Sequence, residues 1–125
     1  HSDPSTYPST SVLSPQNPNM HWSWNSGYIF IKLEGNVDTT AAMNGPATFH
    51  FEFHVGMDMM KRNIPLAHHF HIEEGATSEE LMIMVDWAKF FDGLDWATEN
   101  TTHTMDNMPA ATKMANNVPN VFSIL

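Results

Sequence analysis

The sequence contains no cysteine, which excludes a disulfide framework and any thiolate metal site and leaves the redox compartment unmarked by sulfur pairing. Basic residues are also scarce: five Lys and Arg stand against fourteen Asp and Glu, a formal charge of −9. Such a surface repels phosphate backbones and anionic headgroups, so nucleic acid is not expected as a partner. No apolar run reaches the roughly 20 residues needed to span a bilayer. The first residues lack the charged and apolar regions of a signal peptide, so a transmembrane segment is not expected and an exported chain would already have lost its leader. No Ser/His/Asp order, phosphate loop or paired-carboxylate context supports a hydrolase.

What the sequence does hold is ten Met, eight His and four Trp in 125 residues, of which 42% are hydrophobic. That is enough apolar material for one core, and the expected organisation is a single domain over 1–125. Imidazole suits copper, zinc, iron and nickel, and thioether sulfur selects Cu(I). A His- and Met-rich chain without thiols therefore fits copper handling where thiols would oxidise, although methionine also serves simply to fill cores.

Residues 1–18 carry four of the eight prolines among Ser, Thr and Asn and read as an extended surface segment. The stretch Tyr28 to Glu34 alternates as a strand, with Ile29, Ile31 and Leu33 on one face and Tyr28, Phe30 and Lys32 on the other, closed by Gly35-Asn36. After the turn signal Asn44-Gly45-Pro46, residues 47–55 give the cleanest period of two in the chain. Phe49, Phe51, Phe53 and Val55 face one side, and His50, Glu52 and His54 the other. Further strands are expected at Leu66–Ile72, in the apolar run Leu81–Val85 and at Val121–Leu125, with a turn at Thr77–Glu80. Asp86 is placed to cap a short helix over Trp87–Phe91 that stops near Gly93, and Pro109 to open a second through Asn116. Short strands with turn punctuation predict a mostly β chain: an antiparallel β-sandwich with one or two short helices.

The polar face of residues 47–55 is competent to bind a metal, yet alternate residues on one face are separated by about 7 Å, so His50 and His54 need not share an ion. His54 lies where the strand should end, at Val55-Gly56, and ranks above His50 because functional side chains emerge at strand ends. His68-His69-Phe70-His71 has few carboxylates near it to orient its rings, and Met57-Asp58-Met59-Met60 offers thioethers directly after His54. His1 could chelate copper through its ring and amine if the amine is free. Asn100-Thr101-Thr102 fits a glycosylation acceptor, a pattern too common to weigh. The densest feature is His21-Trp22-Ser23-Trp24-Asn25-Ser26-Gly27-Tyr28-Ile29-Phe30, which crowds costly aromatic residues into the approach to a strand. An unmodified indole N–H only donates, so Trp22 and Trp24 cannot ligate a metal through nitrogen as encoded.

These residues resemble a known family. The run Asn19 to Gly35, with its Trp-x-Trp and Ser-Gly-Tyr elements, is similar to the signature of the MbnP-like copper-binding proteins of methanotroph surfaces. So are the opening His1-Ser2-Asp3-Pro4, the segment Phe53-His54-Val55-Gly56, and the stretch from Met84-Val85-Asp86 to Phe91-Asp92-Gly93. The resemblance runs through most of the chain and implies an exported protein of the periplasm, cell surface or medium that binds one Cu(I) and catalyses no turnover.

In that family two histidines and a kynurenine hold the copper, and a diheme peroxidase-like partner makes the kynurenine from the first Trp of the Trp-x-Trp pair. Carried over to this sequence, the ligands implied are His1, Trp22 and His54, with His50 and His21 as substitutes and Trp24, Tyr28 and Phe30 as supporting groups. A copper-delivery partner is implied as well. Family domains place additional strands ahead of the segment with which this sequence begins, so the expectation is either a processed or partial fragment or a shortened member whose sheet is completed differently. Two further readings remain open: a copper oxidoreductase built on the His1 amine and ring, and a surface module whose histidines hold no metal.

Overall fold

The structure is a computed structural model that describes residues 3–15, 19–23, 26–69, 71–72, 74–75, 77–78 and 80–125. Its centre is the antiparallel pair of β2 (Gly27–Val37) and β3 (Phe49–Gly56). The short β1 (His21–Ser23) lies antiparallel on the outer side of β2, and the two-residue β5 (Thr101–Thr102) lies parallel on the outer side of β3, giving the order β1-β2-β3-β5. A second sheet pairs β4 (Ile83–Val85) with β6 (Phe122–Ile124), antiparallel. With one long helix, α1 (Met108–Val121), this is the mostly β, largely antiparallel, sandwich-like fold that the strand pattern predicts.

The alternation in β3 decides where the core sits. Phe53 and Val55 are fully buried and join Met60, Phe90, Ala111, Met114, Ala115 and Val121. Phe51, Phe53, Phe91 and Trp96 form a mutually tilted aromatic group with centroids 5.3–6.2 Å apart. Burying a ring the size of Phe53 stabilises the fold by about 2–3 kcal/mol, and the tilted geometry suits the ring quadrupoles. The opposite face of β3 is left for His50, Glu52 and His54.

The helical segments follow their caps. Asp86 accepts from the amide of Ala88 at 3.2 Å and starts a 3-10 turn over Trp87–Phe91, as expected. Asn107 accepts from Ala110, Pro109 occupies the first turn of α1, and Ala110, Ala111, Met114 and Ala115 form its buried stripe. The helix runs to Val121, beyond the expected end at Asn116, and takes Pro119 into its last turn. Val118 and Val121 extend the buried stripe, and their packing outweighs the single hydrogen bond that proline removes so near the end.

Four further expectations are corrected. Strand β2 continues through Gly35 and Asn36 to Val37, with these three residues paired to Phe51, His50 and Phe49. Among the described residues of the expected strand Leu66–Ile72, none is in a strand: Ala67, His68, His69, His71 and Ile72 are exposed, and an apolar run without a neighbouring strand has no ladder to join. The turn placed at Thr77–Glu80 falls at Glu74-Gly75. Strand β4 begins only at Ile83, because Leu81 and Met82 lie exposed outside the pairing with β6. The described residues before 20 are mostly exposed, as the prolines suggest, with a 3-10 turn at Pro4–Thr6, and Tyr28 ties them to β2 by donating its hydroxyl to the Leu13 carbonyl at 2.7 Å.

Candidate metal centre

Register places charged side chains on one face of the β2–β3 pair. Lys32 is opposite His54, Glu34 opposite Glu52, and Asn36 opposite His50. His54 is buried at 8% exposure, and its Nε2 lies 2.5 Å from Oε1 of Glu34 and 3.4 Å from Oε1 of Glu52. The ring of His54, and after it Lys32 at 3.3 Å, holds the Glu34 carboxyl below its ordinary range. His50 is different. Its side chain is 60% exposed and reaches Glu52 only at 4.0 Å.

The parallel pairing of β5 with β3 sets Thr101 beside Glu52 and Thr102 beside Phe53. The next residue, His103, therefore arrives beside His54, with ring centroids 4.8 Å apart and planes at 87°. Nε2 of His103 is 3.2 Å from Oε1 of Glu52, and its Nδ1 is 2.9 Å from Oδ2 of Asp106. The Asp106 hydrogen bond and then Glu52 raise His103 above its usual range against a smaller effect of burial. Burial pushes the Asp106 carboxyl up, but the backbone N–H and ring of His103 outweigh it and leave it low. Thr104 locks the loop in place: its buried hydroxyl accepts from the Gly56 amide at 3.0 Å and donates to the His54 carbonyl at 3.1 Å, with φ at 70°.

Each of Glu52, His54 and His103 thus offers one ligand atom, and the three lie within 4.8 Å of one another. Two imidazoles and a carboxylate are a donor set that transition metals accept. His103 was not singled out in the sequence, because only the long-range pairing of a two-residue strand brings it to His54. The sole local signal is the spacing from His103 to Asp106.

Trp22 approaches the same face from β1. The position that a Cβ on Gly56 would take is 2.9 Å from Cζ3 of Trp22, so the indole rests on the end of β3, one same-face step beyond His54. Trp22 also lines a cleft with Asp3, Pro4, Ser5, Pro15, Asn19 and His21. In that cleft Nε2 of His21 is buried and has no hydrogen-bond partner among the described residues, while its ring meets Tyr28 edge to face at 4.9 Å.

A profile of the MbnP family matches residues 1–108, which is most of the chain. The chain belongs to the MbnP family. No curated protein and no solved structure gives a match. Of the three ligands implied for this MbnP-family chain, Trp22 and His54 lie on adjoining parts of one face. His1 lies outside the described residues, as does Trp24, although Asp3 brings the opening segment to Trp22. Tyr28 supports His21, whereas Phe30 is 45% exposed and lines a separate apolar cleft with Trp87 and Phe90. His68, His69 and His71 are exposed and stand apart from the three-ligand group, and Met60 is part of the core. No helix among the described residues is long and apolar enough to cross a membrane.

Proposed function

We propose that the chain is an exported Cu(I)-binding protein that acquires or carries one copper ion outside the cytoplasm, through His1, a kynurenine made from Trp22, and His54, without catalytic turnover. The observation that carries this reading is the seating of Trp22 on Gly56, on the same strand face as His54. Membership of the MbnP family supports it.

The residues at this junction fit such an ion. Oxidative opening of the five-membered ring of Trp22 by a diheme peroxidase-like partner turns a donor-only nitrogen into an aniline-type amine with a lone pair. Neutral nitrogen donors suit Cu(I) better than hard, oxygen-seeking cations. The buried Nε2 of His21, without a partner among the described residues, lies in the cleft shared with Asp3 and Trp22, and His21 stands as the substitute ligand. Bound copper would pass to a delivery partner.

Peptide mass spectrometry of copper-loaded protein from its native source tests this reading. Kynurenine is expected at position 22, and an intact indole in copper-loaded protein would sink the mechanism. Protein made in a host without the modifying enzyme should keep its indole and bind Cu(I) poorly.

A further inference from the structure

We infer that Glu52, His54 and His103 form an alternative metal position that shares His54 with the proposed copper site, suited to a borderline divalent cation of the zinc or cupric class, which the chain offers while Trp22 keeps its indole. This goes beyond the copper reading and needs neither kynurenine nor His1.

Geometry is the first argument. Metal–nitrogen and metal–oxygen bonds of about 2.0–2.1 Å in a tetrahedral site put neighbouring ligand atoms about 3.3–3.4 Å apart. Oε1 of Glu52 lies 3.4 Å from Nε2 of His54 and 3.2 Å from Nε2 of His103. Two edges of the tetrahedron are therefore already set, and the third closes by an inward movement of the exposed His103 ring from a separation within 4.8 Å.

Orientation is the second. Asp106 Oδ2 holds Nδ1 of His103 at 2.9 Å, so that Nε2 faces Glu52. A carboxylate that fixes the far nitrogen of an imidazole is the arrangement that metal-ligating histidines use to set ring angle and tautomer. The hydroxyl of Thr104 fixes the backbone on both sides, through His54 and Gly56. Glu34, already against His54, is at hand as a fourth ligand.

Donor type and access select the ion. One or two carboxylates beside two imidazoles disfavour Cu(I) and suit zinc or cupric ion. The side chains of Glu52 and His103 are 30% and 45% exposed, so an ion reaches them from solution, while His54 anchors the inner side at 10%.

The test uses the full chain made without the modifying enzyme, so that Trp22 keeps its indole, titrated with Zn²⁺ in a calorimeter. Wild type is expected to bind one zinc. His103→Ala, His103→Gln and Glu52→Gln should each weaken zinc at least about tenfold, and Asp106→Asn about ten- to a hundredfold through loss of orientation. Each variant's thermal unfolding without metal should show it folded. Co²⁺ in place of zinc should give the visible absorption of a tetrahedral nitrogen and oxygen site in wild type, absent in His103→Ala. Trp22→Phe should bind zinc as wild type does. Zinc affinity unchanged in both His103 variants, no uptake by folded wild type, or zinc lost in Trp22→Phe would each overturn the proposal. Failure of the copper reading would appear separately, as an intact indole in copper-loaded protein, and would leave these results untouched.

Discussion

The indole of Trp22 lies where a side chain on Gly56 would have to go: a Cβ there would stand 2.9 Å from Cζ3 of Trp22 and 2.5 Å from the Tyr28 carbonyl oxygen. One of these neighbours is backbone and cannot yield. Gly56→Ala should therefore cost about 1–3 kcal/mol as an overpacking change. The expected drop in melting temperature is about 3–5 °C for each kcal/mol. Because the same methyl displaces Trp22, Cu(I) retention by fully processed protein should fall beyond what the loss of stability explains. Calorimetric melting combined with copper analysis of the folded fraction separates the two effects.

His54 and His50 share a strand face but not an environment. His54→Ala should abolish Cu(I) stoichiometry in processed protein, whereas His50→Ala, at an exposed ring 4.0 Å from its nearest carboxylate, should leave it unchanged. Equal stoichiometry in the two variants would show that the ligand assignment is wrong.

Phe53 is fully buried and touches the aromatic group that joins β3 to Phe91 and Trp96. Phe53→Ala should destabilise by about 3–5 kcal/mol, seen as a lower urea midpoint. A loss below about 1 kcal/mol would mean that the sheet closes over the cavity.

Glu99 gives the acid limb of stability a specific origin. Its Oε2 accepts from the Asp95 amide at 2.8 Å and from Lys113 at 2.7 Å, and the Asp95 N–H first, then Lys113, lowers its pKa. A lowered carboxylate contributes stability above its unfolded value of about 4.3, and the contribution disappears as pH falls through the lower native value. Urea midpoints should decline below about pH 4.5, and Glu99→Gln should flatten that decline while lowering stability at neutral pH.

Much of this architecture could be read along the chain because the decisive patterns are local. The period of two in residues 49–56, the Asp86 cap and the helix opened by Pro109 each depend on residues within a turn or two of one another. Gly35 misled as a strand terminator because its meaning is cross-strand: a Cβ there would be 3.0 Å from Cζ of Phe51, so the position opposite a large ring demands a small residue inside the ladder. Leu66–Ile72 misled in the opposite sense, since β propensity without a neighbouring strand makes no sheet. His103 was illegible for a third reason. Its place beside His54 is fixed by the pairing of β5 with β3, roughly fifty residues away in sequence, and no periodicity reports such a contact.

Thr104 spends one oxygen on two backbone groups, receiving the Gly56 N–H and returning its own proton to the His54 carbonyl. The loop that carries His103 cannot swing outward without baring the amide of Gly56 to solvent. Both segments therefore belong to one cooperative opening unit, and amide exchange at Gly56 times the excursions of a histidine three strands' width from Trp22's own strand. Release of an ion from Glu52, His54 and His103 then proceeds by rotation of the exposed His103 ring and the Glu52 carboxylate, with the hydroxyl latch closed throughout.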